Sequence, residues 1–140
     1  MEICPMKKSI LMILSVFMTW NFSEAQHLIG VKKEMVPDLV KKEMKGFRLD
    51  NTSRNNNYNY QKFLNTAGTK TLIVFYDEKN LSASTRMVCD YSEFDFMLDD
   101  MNTKFRKKGQ DIWEYTANKQ KFEVTLRKDE WYCVFSTKKR

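Results

Sequence analysis

A chain of 140 residues has room for one domain and a core of moderate size. Its hydrophobic share of 42% and charged share of 30% are those of a globular protein, and four Gly and two Pro exclude collagen-like or linker sequence. The net charge of +6 would attract an anionic partner, yet the basic residues are scattered, as on an ordinary solvated surface.

The first 25 residues read as an export signal. Met6-Lys7-Lys8 supplies a positive region, Ile10 to Trp20 is almost wholly apolar, and Ser23-Glu24-Ala25 places small residues at the −3 and −1 positions of a cleavage site before Gln26. The apolar run is about a dozen residues, whereas a membrane-spanning helix needs roughly 20. It has neither the polar stripe nor the cap of a buried helix, so the expectation is a cleaved signal peptide over 1–25 and a single domain over 26–140. Met1 and Met6 are both candidate starts. Cys4 precedes the apolar run, so no lipidation is expected, and the destination is the periplasm or the exterior. Cleavage removes two lysines and two glutamates and leaves the charge unchanged. Export argues against nucleic acid as the partner, and no second apolar segment predicts a membrane span. In a eukaryotic host Asn51-Thr52-Ser53 and Asn80-Leu81-Ser82 would be glycosylation sequons.

From Ile29 to Lys45 the residues Val31, Met35, Leu39, Val40 and Met44 recur at helical spacing, with Gly46 where a C-terminal cap belongs. Pro37 either kinks this helix or opens its main part at the first turn. Arg48 to Asn59 is polar and lacks a period, which predicts a loop or an irregular edge strand. Tyr58 to Leu64 reads as a strand, and Ala67-Gly68 as a turn. Thr69 to Tyr76 carries Leu72, Ile73, Val74 and Phe75 in succession, which predicts a strand covered on both faces. Asp77 to Asn80 forms a turn, and Thr85 to Tyr91 a third strand.

A second helix follows, capped by Ser92 with Asp95 three residues on. Phe94, Met97, Leu98, Met101 and Phe105 make one apolar stripe, Lys104, Arg106, Lys107 and Lys108 favour its C-terminal end, and Gly109 stops it. Ile112 to Thr116, Lys121 to Arg127 and Trp131 to Ser136 are then strands, with turns at Asn118-Lys119 and Lys128-Asp129-Glu130. The expected fold is therefore α+β, in the order α-β-β-β-α-β-β-β. Five or six mainly antiparallel strands would carry two helices on one face. Val88-Cys89-Asp90-Tyr91-Ser92 and Tyr132-Cys133-Val134-Phe135-Ser136 echo each other; this is either an internal duplication or a chance match.

The chemistry-bearing residues predict no enzyme. The one histidine, His27, adjoins the predicted new terminus and cannot anchor a nucleophile–base pair. Zinc would need more ligands than Cys89, Cys133 and His27, and the isolated glycines form no phosphate loop, so no metal or cofactor is expected. Asp95, Asp99 and Asp100 belong to the solvated side of a helix. Cys89 and Cys133 lie in strand-like runs, where buried free thiols are favoured over a disulfide, which would require their Cα atoms within about 7 Å.

The aromatic residues are the surplus. If the helices cover one face, some of Tyr58, Tyr60, Trp113, Tyr115 and Tyr132 stand on the other, where they either shield the sheet or bind a protein, peptide or glycan. The segments Val40 to Phe47, Cys89 to Phe96 and Trp113 to Thr116 resemble a group of small, uncharacterised exported α+β proteins of Bacteroidota. That resemblance implies localisation and element order and assigns no residue a role. The leading expectation is a non-catalytic exported binding module. The alternatives are a structural or self-associating envelope component, then an enzyme using an unrecognised Asp, Glu or Tyr acid–base pair.

Overall fold

The chain alternates period-two apolar runs with short polar turns, and these close into one antiparallel sheet beneath two helices. The computed structural model describes residues 28–50 and 58–140. The expected signal peptide, its cleavage site and the sequon at Asn51 lie outside the described residues.

Helix α1 spans Val36–Glu43 and β1 spans Phe47–Leu49; β2 (Tyr60–Asn65), β3 (Lys70–Tyr76) and β4 (Ser82–Asp90) follow as a meander. A 3-10 turn over Tyr91–Glu93 leads into α2, Phe94–Lys104. A second meander then runs through β5 (Arg106–Gly109), β6 (Ile112–Ala117), β7 (Gln120–Lys128) and β8 (Tyr132–Lys139). The eight strands lie in the order β1-β2-β3-β4-β8-β7-β6-β5, all neighbours antiparallel. Each half is one helix followed by four strands wound from an outer edge to the centre. The halves meet where β4 pairs with β8, so the topology repeats about a two-fold axis normal to the sheet.

The turns follow from residue type. Asn118 and Lys119 both take positive φ (50° and 63°), the requirement of a two-residue hairpin of primed type. Between β3 and β4 the Asp77 carboxylate accepts hydrogen bonds from the amides of Lys79 (2.8 Å) and Leu81 (3.0 Å), while Asn80 sits at φ 58°. Pro37 lies in the first turn of α1, where its missing N–H costs nothing. Gly46, at φ +87°, reverses the chain after α1, and a Cβ there would meet Thr66 Oγ1 at 3.2 Å.

Alternation then builds the core. Phe63, Leu72, Met87, Phe135 and Leu126 occupy one row across β2, β3, β4, β8 and β7, all buried on the same face. Val36 and Val40 of α1 and Met97 and Met101 of α2 join them in one cluster, so both helices cover that face.

Four expectations need correction. Among the described residues the sheet has eight strands, not five or six, and the order is α-β-β-β-β-α-β-β-β-β. The additional strands are the short edges β1 and β5, whose six outermost positions from Arg48 to Leu49 and Arg106 to Gly109 are all exposed and give no alternating signal. The second helix ends at Lys104, because Phe105 turns extended (φ −118°, ψ 156°) to enter the core, and Arg106 to Gly109 becomes an edge strand. Ser92 lies within the 3-10 turn and makes no capping hydrogen bond; Glu93 occupies the cap position and contacts Lys70 Nζ at 3.6 Å.

The sequence echo around the two cysteines is not the structural repeat. Cys89 is next to last in β4, whereas Cys133 is second in β8, so the two-fold does not exchange them. They are cross-strand partners instead, both free and both buried.

Candidate functional site

The face of the sheet away from the helices is the open surface, and the register shows how it is composed. Tyr60 on β2 stands beside Phe75 on β3 and Ser84 on β4. Two residues along each strand, the next row is Lys62, Ile73 and Arg86, continuing to Ser136 and Thr125. The third row is Leu64, Thr71, Val88, Val134 and Arg127.

These rows form a shallow groove in two connected parts. One, about 450 Å³, is lined by Tyr58, Tyr60, Lys62, Ile73, Phe75 and Arg86. The other, about 340 Å³, shares Lys62, Ile73 and Arg86 and extends over Val88, Val134 and Tyr132 to Arg127. Tyr60 and Phe75 lie 6.1 Å apart between ring centroids, and the Arg86 guanidinium sits 5.0 Å from the Phe75 ring centre. Arg127 is paired with Asp129 at 3.3 Å. Among the described residues no carboxylate lines either part, so the groove combines an apolar floor with positive charge.

The outer face of the second half is different. β7 presents Lys121, Glu123, Thr125 and Arg127 outward, the ordinary polar side of a half-buried antiparallel strand. Beside it Glu114 on β6 is held by Arg140 (2.8 Å) and Lys108 (3.5 Å). Burial alone would raise the Glu114 carboxyl, but Lys108, Arg140 and Lys121 together hold it below the usual carboxylate range.

Of the five aromatic residues singled out in the sequence, Tyr58, Tyr60 and Tyr132 line the groove. Trp113 and Tyr115 do not. Trp113 is fully buried under α2 and donates its indole N–H to Asn102 Oδ1 at 2.9 Å. Tyr115 is stacked between Phe105 (4.6 Å) and Phe122 (5.1 Å), with its buried hydroxyl unpartnered and its pKa pushed up by burial. The physical reason is the hairpin: two turn residues set Trp113 opposite Val124 and Tyr115 opposite Phe122, so both rings share the covered face.

The structure adds Ile73, Phe75, Arg86 and Val88, which sequence reading had taken as buried or left unassigned, with the buried Val134 beside them. Ile73 and Phe75 belong to the run expected to be covered on both faces; only Leu72 and Val74 are. Trp131, 78% exposed in the β7–β8 turn, adds an uncovered ring next to Tyr132.

Asp95 and Asp99 are exposed, Asp100 pairs with Lys104 at 3.1 Å, and among the described residues no group of three His, Cys, Asp or Glu could hold a metal ion. Burial pushes the Cys89 thiol up to about 12, with the neighbouring Cys133 adding to it; burial also raises Cys133. Among the described residues no helix is long and apolar enough to cross a membrane. No family model, curated protein or solved structure matches the chain.

Proposed function

We propose that this chain is an exported, non-catalytic binding module that receives its partner on the open face of the sheet. Export rests on the sequence of residues 1–25: a basic start, a short apolar run and small residues at −3 and −1 of the cut. The binding reading rests on one observation above all. Two halves of the same topology carry opposite outer faces, polar on β7 and apolar on β3.

The scaffold itself therefore does not require an apolar outer face. On β7 the pattern of Lys121, Glu123 and Thr125 supports an equally paired strand. Ile73 and Phe75 at the corresponding level of the fold leave apolar surface against water, which is a cost unless something covers it. The groove offers aromatic and aliphatic contact area with two cations in its middle, a composition suited to holding a ligand.

The test is quantitative capture from an envelope extract by the immobilised wild-type protein and by Ile73→Thr and Phe75→Thr forms. Partners held through the groove are depleted at least several-fold in both variants. Equal recovery by wild type and variants rejects the groove as the binding surface. Mass spectrometry of the native product tests export separately: a terminus at Gln26 is expected, and an uncleaved product retained in the cytosol rejects it.

A further inference from the structure

We propose that Cys89 and Cys133, free thiols in the structure, are the reduced form of a disulfide that on export joins the two halves of the sheet across their seam. The fit of the bond rests on geometry, and its formation in the cell rests on the export reading above.

Position is the first support. Cys89 on β4 and Cys133 on β8 stand directly opposite in an antiparallel pair, so both side chains leave the sheet on the same face. Residues so placed have Cα atoms about 4.5 to 5.5 Å apart, within the span of about 4.4 to 6.8 Å that a disulfide bridges. Each thiol lies within hydrogen-bonding reach of the other, and Cys133 Sγ is 3.6 Å from the Cys89 carbonyl oxygen. Closing the bond asks for side-chain rotation, with no change of register.

The second support is the company the sulfurs keep. Both side chains are fully enclosed in the core, at 0% exposure, and their weak S–H donors otherwise reach backbone carbonyls, that of Met87 at 3.9 Å for Cys89. A disulfide suits the same apolar space and has no S–H to satisfy. A single buried thiol is an ordinary small apolar residue. Here two face each other, and the chain's third cysteine, Cys4, precedes the expected cleavage site, so the mature protein holds no thiol that could form a wrong bridge.

The third is what the bond would fasten. Among the described residues β4–β8 is the one strand pairing that connects the two meanders. The bridge would join positions 44 residues apart, and closing a long loop restricts the unfolded chain strongly.

The oxidant is itself a disulfide, supplied by a small thiol or an oxidoreductase of the exported compartment. One cysteine thiolate attacks a sulfur of the oxidant, releasing one thiol and leaving a mixed disulfide. The second cysteine thiolate then attacks the cysteine sulfur of that intermediate, and the other half of the oxidant leaves as a thiol. Two electrons and two protons pass from the cysteine pair to the oxidant. Burial pushes the Cys89 thiol up to about 12 and raises Cys133 as well, so the folded protein presents little thiolate. The exchange therefore belongs to folding, before the seam closes, and the finished bond is shielded from reductants.

The experiment is refolding of the reduced, urea-unfolded protein in graded mixtures of reduced and oxidised glutathione. Samples are quenched with acid, alkylated in urea and read by mass spectrometry. A monomer lighter by two hydrogen atoms and closed to alkylation is expected. Its effective concentration for oxidation should exceed that of the same protein held in urea by about a hundredfold or more, because a bond that fits the native state is favoured by folding. The oxidised form should also unfold at a urea midpoint higher by about 1 M or more. Cys89→Ala and Cys133→Ala, each with its remaining thiol still open to alkylation in urea, check the assignment of the bridge.

An equal effective concentration in folded and unfolded protein, an unchanged or lower midpoint, or a mixed disulfide with glutathione as the main product overturns the proposal. Acid trapping of thiols in the native product separates it from the export reading. An exported protein carrying the dithiol overturns the proposal and leaves export standing. A cytosolic dithiol that still passes the refolding test overturns export and upholds the fit of the bond.

Discussion

Adjacent residues of β3 should respond unequally to truncation, and the difference measures whether the open face is a second core. Leu72 is buried against the helices with 1% of its surface exposed, whereas Ile73 points away from them and is only partly covered. Leu72→Ala removes three carbons and leaves a cavity, at a cost of about 3 kcal/mol within a usual range of 2 to 5. Ile73→Thr keeps the β-branch and removes about two carbon groups, worth about 0.8 kcal/mol each if fully buried. Partial cover brings that to about 1 kcal/mol. With a urea m-value of about 1.5 kcal/mol/M, midpoints should fall by roughly 2 M for Leu72→Ala and 0.7 M for Ile73→Thr. The assay is urea unfolding followed by far-ultraviolet circular dichroism at neutral pH, with m held constant as the check on two-state behaviour. A loss of 3 kcal/mol or more for Ile73→Thr would mean that Ile73 is packed as core, and the argument for a docking surface would fail. Together with lost capture by Ile73→Thr, a small loss separates binding from folding at a single side chain.

Three other outcomes follow from the covered face and its margin. Tyr115→Phe removes a buried hydroxyl that has no partner and leaves both ring stacks in place, so stability should rise by about 1 kcal/mol; a loss of similar size would reveal a hydrogen bond to that oxygen. Cys89, with its thiol pushed up to about 12, and its buried neighbour Cys133 should resist alkylation in the native state at neutral pH and react together on unfolding; rapid labelling of folded protein would refute their burial. Glu114 has a folded-state pKa below its unfolded value, so its contribution is present above the unfolded pKa and is lost as pH falls through the folded one. The stability gap between wild type and Glu114→Gln should therefore shrink as pH drops from about 5 to about 3, and a gap constant across that window would dismiss the Lys108 and Arg140 contacts as stabilising.

The long apolar periods were legible before the structure. The helical stripe at Met97 and Met101 and the alternation Phe122, Val124 and Leu126 fall where expected, because burial on one face imposes the period of the element. Strand β5 was not legible and β1 only as one alternative, a loop or an irregular edge strand from Arg48, because an exposed edge strand has little to bury and so leaves no alternation. Arg106, Lys107 and Lys108 read equally well as the basic end of a helix. What separates the readings is Phe105, which the core takes from the helix, and the pairing of Lys107 with Trp113. The placement of Trp113 and Tyr115 was latent in the sequence. A two-residue turn at Asn118-Lys119 fixes the register, and register fixes the face, once Val124 and Phe122 are known to point inward. For Ile73 and Phe75 no local signal existed, because a run of four apolar residues has the same appearance whether one face is covered or two.

The repeated topology turns that ambiguity into an argument. Helix-covered positions in both halves are constrained by one shared core, and they are apolar on both sides of the β4–β8 seam: Leu72 and Met87 in one half, Phe135 and Leu126 in the other. Outer positions carry no such shared demand, and there the halves diverge. Where β7 meets water with Glu123 and Thr125, β3 meets it with Ile73 and Phe75. A purely structural explanation would have to apply to both halves, since the same strand order and the same covering helices occur in each. The divergence is confined to the side that folding leaves free, and it places aromatic and aliphatic surface beside Lys62 and Arg86. Among the described residues this asymmetry lies on a broad face that neither helix covers and that the fold does not need to be apolar, and it is what supports the proposed recognition role of that half of the sheet.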